Sequence, residues 1–286
     1  MNDTRQEKMA EIMEQLEVGV ANVFTSENYI QLLRFWSRFH KYSFNNCILI
    51  LAQRPTASRV ASFQTWKKLG YPVNKGEHGI RILVPIPYTY QRKEAKKDVL
   101  GNSIEEVVDA KGLSFRVGNV FDASQVNGKL PTLVHELQDD PKSLKIAVDQ
   151  LIGASENIQY DPTLVEGNAN GYYRLDSSMI FLREGMSSMQ TFKTLIHEKA
   201  HSMMHHADAE SCSRQTAEVQ AESIAFVVTS AFGLDTSDYS FPYIASWSDG
   251  RELKELKSSL AVIEKTAKEL MNWVCNSSNL ELLEVV

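Results

Sequence analysis

The sequence predicts a mixed α+β protein in two parts: a helical region with a small β-sheet, then a region of short strands and long helices. Three observations lead there. Apolar residues recur at helical spacing near both ends of the chain, short β-type runs interrupt that pattern in two places, and the charge changes sign near the middle. Residues 1–130 hold 18 Lys and Arg against 13 Asp and Glu, and residues 131–286 hold 12 against 23, so the halves carry +5 and −11. Such a split directs the first half toward a polyanion and the second away from one. With 286 residues, 43% hydrophobic and 23% charged, the chain can bury one large core or two ordinary ones.

Met9, Ile12, Met13, Leu16, Val20 and Val23 predict an amphipathic helix over Asn2–Phe24. Ser26 is the expected N-cap of a second helix reaching about His40, carried by Tyr29, Ile30, Leu32, Leu33 and Trp36. A third spans Phe44–Gln53, ahead of Pro55. Ile80–Ile86 reads as a strand with Ser114–Phe121 as its partner. Between them, Gln91–Gly112 is strongly charged with few large apolar residues, which predicts a solvated, poorly ordered loop or arm.

Gly128, Pro131, Asp139, Asp140 and Pro141 mark a linker where the charge changes sign, giving expected domains over 1–125 and 141–286 with a linker over 126–140. Beyond it, the pattern predicts a helix over Pro141–Gly153 and two short strands, Gly171–Leu175 and Met179–Leu182, around an Asp176-Ser177-Ser178 turn. Helices follow over about Ser188–His205, Arg214–Phe232 ended by Gly233, and Asp249–Val274. Cys47, Cys212 and Cys275 are too few and too far apart for a disulfide scaffold or a four-cysteine zinc site. No apolar run is long enough to span a bilayer, and Met1–Glu11 is polar and charged, so the expectation is a cytoplasmic protein with reduced thiols.

The string Thr194-Leu195-Ile196-His197-Glu198-Lys199-Ala200-His201 places an H-E-x-x-H sequence inside a helical pattern. Four residues rise about 6 Å and turn the helix slightly more than once, so both imidazoles leave one face and can share a Zn²⁺ ion. Glu198 sits about 100° round the helix from His197, within reach of a metal-bound water without having to bind the metal. His205 lies about 12 Å along the axis from His197 and cannot converge on the same ion. The better third ligand is Glu218, on the next helix. Glu218 and Glu222 share a face: one can bind the metal while the other accepts a hydrogen bond from His197 and fixes its tautomer.

His197-Glu-x-x-His201 followed by Glu218-x-x-Ala221-Glu222 resembles the gluzincin peptidases, especially the small IrrE/ImmA type. With the tail Phe232–Ser237, Tyr239-Ser240, Tyr243-Ile244 and Trp247, it resembles the C-terminal domain of ArdC-type antirestriction and LtrC-like mobile-element proteins. The segments Trp36–Asn46, Val60–Trp66, Lys75–Ile80 and Val120–Gln125 are similar to the N-terminal domain of the same family. The resemblance implies a single-stranded-DNA-binding domain joined to a zincin-like metallopeptidase domain, in a protein linked to antirestriction or conjugation. It also implies His197, His201 and Glu218 as zinc ligands and Glu198 as general base.

Independently, aromatic and basic residues interleave through the first half, the composition that sequence-tolerant single-strand binding uses. Trp36 and Phe39 lie on the apolar helix face and are expected in the core. The candidate DNA contacts are Lys67, Lys68, Lys75, Arg81, Trp66 and Tyr42. A tyrosine or Arg214 is a candidate oxyanion donor, and Met179–Leu182 a candidate strand for pairing with an extended substrate. The competing reading is a non-enzymatic DNA-protecting protein whose zinc site is structural or vestigial, acting on DNA or on a restriction enzyme. A metal-dependent nuclease fits less well, because such sites usually gather carboxylates around paired hard cations.

Overall fold

A computed structural model describes residues 2–97, 103–128, 130, 141–166, 169–204, 213–234, 241 and 244–282. The architecture is α+β, with many helices and two small sheets. The N-terminal helices form where the apolar spacing puts them: α1 Asn2–Val23, α2 Ser26–Arg38 and α3 Phe44–Gln53. Thr25, with its extended backbone, is the N-cap of α2 rather than Ser26.

The chain forms two compact units, Met1–Gln15 with Gln53–Gly128, and Leu16–Ala52 with Lys129–Val286. This grouping differs from the division expected at 126–140, because α2 and α3 belong to the second unit. The reason is the apolar stripe of α2: Tyr29, Leu32, Leu33 and Trp36 are fully buried, and the Tyr29 hydroxyl meets that of Ser223 at 2.7 Å.

In the first unit, β1 (Val60–Ser62), β2 (Ile80–Lys97) and β3 (Ser103–Asp122) form an antiparallel sheet in the order β1-β3-β2. The helix α4 (Phe63–Lys68) starts where the Ser62 side chain accepts a hydrogen bond from the Thr65 N–H. Val60, Trp66, Ile80, Ile82 and Val120 are buried. Over the described residues 91–97 and 103–112, the expected loop is instead a β-ribbon, paired without interruption from Ile80↔Val120 to Lys97↔Ser103. Its backbone groups satisfy one another, and its charges pair across the strands (Lys93–Glu105 at 2.7 Å, Lys96–Glu106 at 2.9 Å). A polar composition therefore does not preclude order there.

The ribbon ends in a dense polar knot. The Asp122 carboxylate accepts from the N–H groups of Ser58 (2.7 Å), Arg59 (3.2 Å) and Ser124 (2.9 Å). The buried Gln125 amide accepts from the Asp122 N–H and donates to Glu77 and to the His78 carbonyl. The segments Val120–Gln125 and Lys75–Ile80 are thus tied to each other by hydrogen bonds.

The second unit contains α5 (Pro141–Gly153), β4 (Ile158–Asp161), β5 (Gly171–Arg174), β6 (Met179–Arg183), α6 (Ser188–Met204), α7 (Arg214–Ala231), α8 (Ile244–Ser248) and α9 (Leu253–Ser277). Its sheet runs β4-β6-β5, with β4 parallel and β5 antiparallel to β6. The central strand buries Ile180 and Leu182 completely. The helix α7 is apolar almost all round, with Ala221, Ile224, Ala225, Phe226, Val227 and Val228 at 0% exposure. It stops at Gly233, whose φ of 73° is left-handed, while the Leu234 N–H returns to the Thr229 carbonyl at 3.2 Å. No described helix is long and apolar enough to cross a membrane.

Candidate metal centre

The helix α6 packs against β5, β6 and α7. Phe192, Leu195, Ile196 and Ala200 are fully buried, and this fixes the rotation of the helix. With that stripe inward, His197 and His201 stand one turn apart on the flank toward α7, their rings 4.8 Å apart at 74°. Their Nε2 atoms lie 3.1 Å from each other and 3.6 and 3.7 Å from Glu218 Oε2. Tetrahedral ligands at ~2.0–2.1 Å from one ion are separated by about 3.3 Å. The three donor atoms therefore already stand at the spacing of three corners of a small-ion tetrahedron. The histidines are 20% and 16% exposed and Glu218 is 53% exposed, so the fourth corner is reached from the Glu218 side.

The choice left open between Glu218 and Glu222 resolves by distance. Glu222 Oε2 is 3.1 Å from Nδ1 of His197, on the far side of the ring from the cluster, and Glu222 Oε1 is 3.4 Å from Lys193 Nζ. Glu222 thereby holds the imidazole so that Nε2 faces Glu218. Burial lowers the pKa of His197, but the carboxylates of Glu218 and Glu222 outweigh it and raise it to about 9. Hydrogen bonds to the two histidines in turn hold Glu218 far below the usual carboxylate range. The same carboxylates attract a cation, which has to displace that proton before the imidazole can ligate it.

Glu198 is 8% exposed. Burial raises its pKa, against the attraction of His197 and His201, and its carboxylate accepts a hydrogen bond from the Tyr173 backbone N–H. That bond requires β5 to run close over α6. A Cβ on Gly171 would lie 2.7 Å from Thr194 Cγ2, 2.8 Å from the Phe181 carbonyl oxygen and 3.4 Å from Glu198 Cγ, so only glycine permits the approach. Met179–Leu182 is not the strand available to an extended ligand: β6 is paired on both sides, and β4 and β5 are the edges. Arg214 is exposed, one turn before Glu218 on the same helix face. Lys199, inside the motif, lies over the Trp273 ring at 5.3 Å. His205, Cys212 and Tyr239 fall outside the described residues.

Lys193 and Gly171 were not anticipated. Lys193 had a signal, standing four residues before His197 on the same helix face, whereas nothing in the sequence relates Gly171 to Glu198.

The candidate DNA contacts fare unevenly. Lys67, Lys68 and Lys75 are exposed. Arg81 turns onto Glu11 at 2.7 Å. Trp66 has no exposed face for a base, since its ring is fully buried and its Nε1 donates to the Phe121 carbonyl at 2.8 Å. Tyr42 is partly buried beside Phe39, and burial pushes its phenol up to about 12. Trp36 and Phe39 are core residues, as expected.

The two units thus present a basic sheet-and-ribbon element and a helical two-histidine, one-glutamate cluster. Residues 2–121 match the family described as the N-terminal domain of anti-restriction factor ArdC. The chain is 28% identical, over 94% of its length, to an uncharacterized Bacillus anthracis protein designated pXO2-81, and it spans about half (51%) of that protein. Among solved structures, it is similar to the metal-free antirestriction ArdC protein from the R388 plasmid (21% identity, TM-score 0.44, 84% of this chain and 86% of that one). It is also similar to the Mn(II)-bound form of that protein (21% identity, TM-score 0.42, 82% of this chain and 83% of that one).

Proposed function

We propose that the chain is an ArdC-type antirestriction protein that binds single-stranded DNA with its N-terminal part and carries a zincin-like, divalent-metal peptidase centre in its C-terminal part. The observation that carries the second half is the tetrahedral spacing of His197 Nε2, His201 Nε2 and Glu218 Oε2, with Glu198 buried next to the two histidines. The two-imidazole, one-carboxylate donor set suits Zn²⁺, and other divalent first-row ions compete for the same set. The ion, when bound, supplies Lewis acidity toward a carbonyl and toward water. Glu198 is the group that accepts a proton at its carboxylate and returns it to the leaving amine. Glu222 and Lys193 keep His197 oriented. An extended peptide would pair at an edge of the β4-β6-β5 sheet, in place of the β6 strand read from the sequence. On the N-terminal side, the reading rests on the ArdC match and the net +5 of residues 1–130.

One observation favours a different reading, a DNA-protecting protein with a structural metal. The Glu198 carboxylate bonds to the Tyr173 N–H, which gives it a task in joining β5 to α6 apart from catalysis. Metal content of the parent and of His197→Ala by mass spectrometry, alongside salt-dependent binding to single-stranded DNA, separates the parts. The expected result is about one ion per chain in the parent and none in the variant, with DNA binding unchanged. A parent that takes up no metal from supplemented buffer would remove the peptidase reading.

A further inference from the structure

The outer half of the β2–β3 ribbon has two unlike faces. One carries Pro85, Pro87, Leu113 and Phe115, with Leu113 and Phe115 at 56% and 45% exposure. The other carries Tyr88 and Tyr90, at 48% and 42% exposure, with ring centroids 5.8 Å apart and planes 37° apart. Opposite these tyrosines in the register stand Gly112 and Ala110. A methyl group at Gly112 would overlap the Tyr88 ring, so that ring lies against the bare backbone of β3 with its other side outward. On the same face, Arg92 stands one register step outward, pairing with Glu94, and Arg116 two steps inward. The carboxylates of this face, Glu94 and Glu106, lie only beyond Arg92 toward the tip.

We infer that Tyr88 and Tyr90 form a base-stacking platform for single-stranded nucleic acid, with the exposed Arg116 on the same face for a flanking phosphate. This rests on the DNA-binding reading above and gives it residues, none of them among those singled out from the sequence. The physical case is threefold. Two neighbouring exposed rings on one strand face, with small residues opposite, hold aromatic surfaces outward without a side-chain wall around them, which suits an unpaired base better than a protein knob seeking a pocket. The tyrosine hydroxyls can stay hydrated while the rings face a base. Arg116 stands exposed on the tyrosine face with no carboxylate between it and the rings, which suits a phosphate. The aliphatic face of the ribbon lacks this combination.

The test uses the full chain and a fluorescently labelled oligothymidylate, read by anisotropy at fixed low salt, for the parent, Y88A/Y90A and Y88F/Y90F. Loss of a stacked base costs roughly fivefold to a hundredfold in affinity. The alanine pair should therefore weaken binding at least about 25-fold while the phenylalanine pair stays within about threefold. Photocrosslinking of the unaltered chain to a 5-iodouracil oligonucleotide should place the adduct on residues 85–92, a readout independent of how any variant folds. A parent that binds the oligonucleotide while the alanine pair binds equally well, with crosslinks elsewhere, would overturn the platform and leave the DNA-binding reading standing. A parent that does not bind would overturn both. A change of oligomeric state in the alanine pair with DNA affinity unmoved would assign the face to protein contact and overturn the inference as well.

Discussion

The metal cluster and the basic sheet are built on opposite principles. In the cluster, three donor atoms stand within 4.8 Å of one another because two helices are locked by buried apolar stripes, and helix geometry turns a spacing of four residues into a shared direction. In the sheet, the tyrosines of the proposed platform lie on an exposed ribbon, where register and face decide what points where, and both depend on long-range pairing. Local spacing can specify the first kind of site. It cannot specify the second.

The sharpest way to break this comparison is at Glu198. Glu198→Gln should keep the metal and lower cleavage of a quenched-fluorescent peptide library by about 10²- to 10⁴-fold relative to the parent. Unchanged cleavage would show that the helix positions a residue the chemistry does not use. Next in size is the support behind His197. Glu222→Ala should weaken metal affinity about 10- to 100-fold, measured by competition with a chelating dye. Lys193→Met should act in the same direction with a smaller effect, since Lys193 touches the ligand only through Glu222.

On the sheet side, Asp122→Ala removes the acceptor for three backbone N–H groups and should cost about 1–3 kcal/mol of stability in urea unfolding at neutral pH. Burial raises the Asp122 pKa, but the hydrogen bonds from Ser124, Ser58 and Arg59 outweigh it and leave it lowered in the folded state. Its contribution is therefore complete above the unfolded value near 3.9 and is lost as pH falls through the folded value. The gap between parent and variant should hold steady near pH 7 and narrow below about pH 4. A gap that widened in acid would reverse this sign and the hydrogen-bond account with it. The smallest effects belong to the exposed lysines: Lys67→Ala, Lys68→Ala and Lys75→Ala should each reduce the salt dependence of DNA binding by about one unit of slope. Arg81→Ala should leave it nearly unchanged, since Arg81 is paired with Glu11.

Most helices were legible, because their apolar stripes are regular and their caps conventional: α3, α5 and the stop at Gly233 follow from the sequence alone. The short elements β4 and α8 were not, since β4 buries a single residue of its four and α8 has five residues. The ribbon was missed for a different reason. Its strands bury little, so no alternation marks them, and what orders them is mutual hydrogen bonding between segments far apart in sequence. In the candidate site, His197, Glu198, His201 and Glu218 are visible from spacing, and Glu222 as one of two choices. Gly171 and Tyr173 are not, because they reach Glu198 through a strand whose path over α6 is tertiary.

The uninterrupted pairing of β2 with β3 also sets a rule for how this ribbon can change length. Deleting two consecutive residues from each strand would shorten it by about 7 Å and leave every remaining side chain on its own face. Deleting one from each would preserve the ladder but turn everything beyond the cut over, carrying the tyrosines to the side where Leu113 and Phe115 now stand. Homologous ribbons of different reach should therefore differ by even numbers of residues per strand, and an odd difference should coincide with aromatic positions that have changed parity.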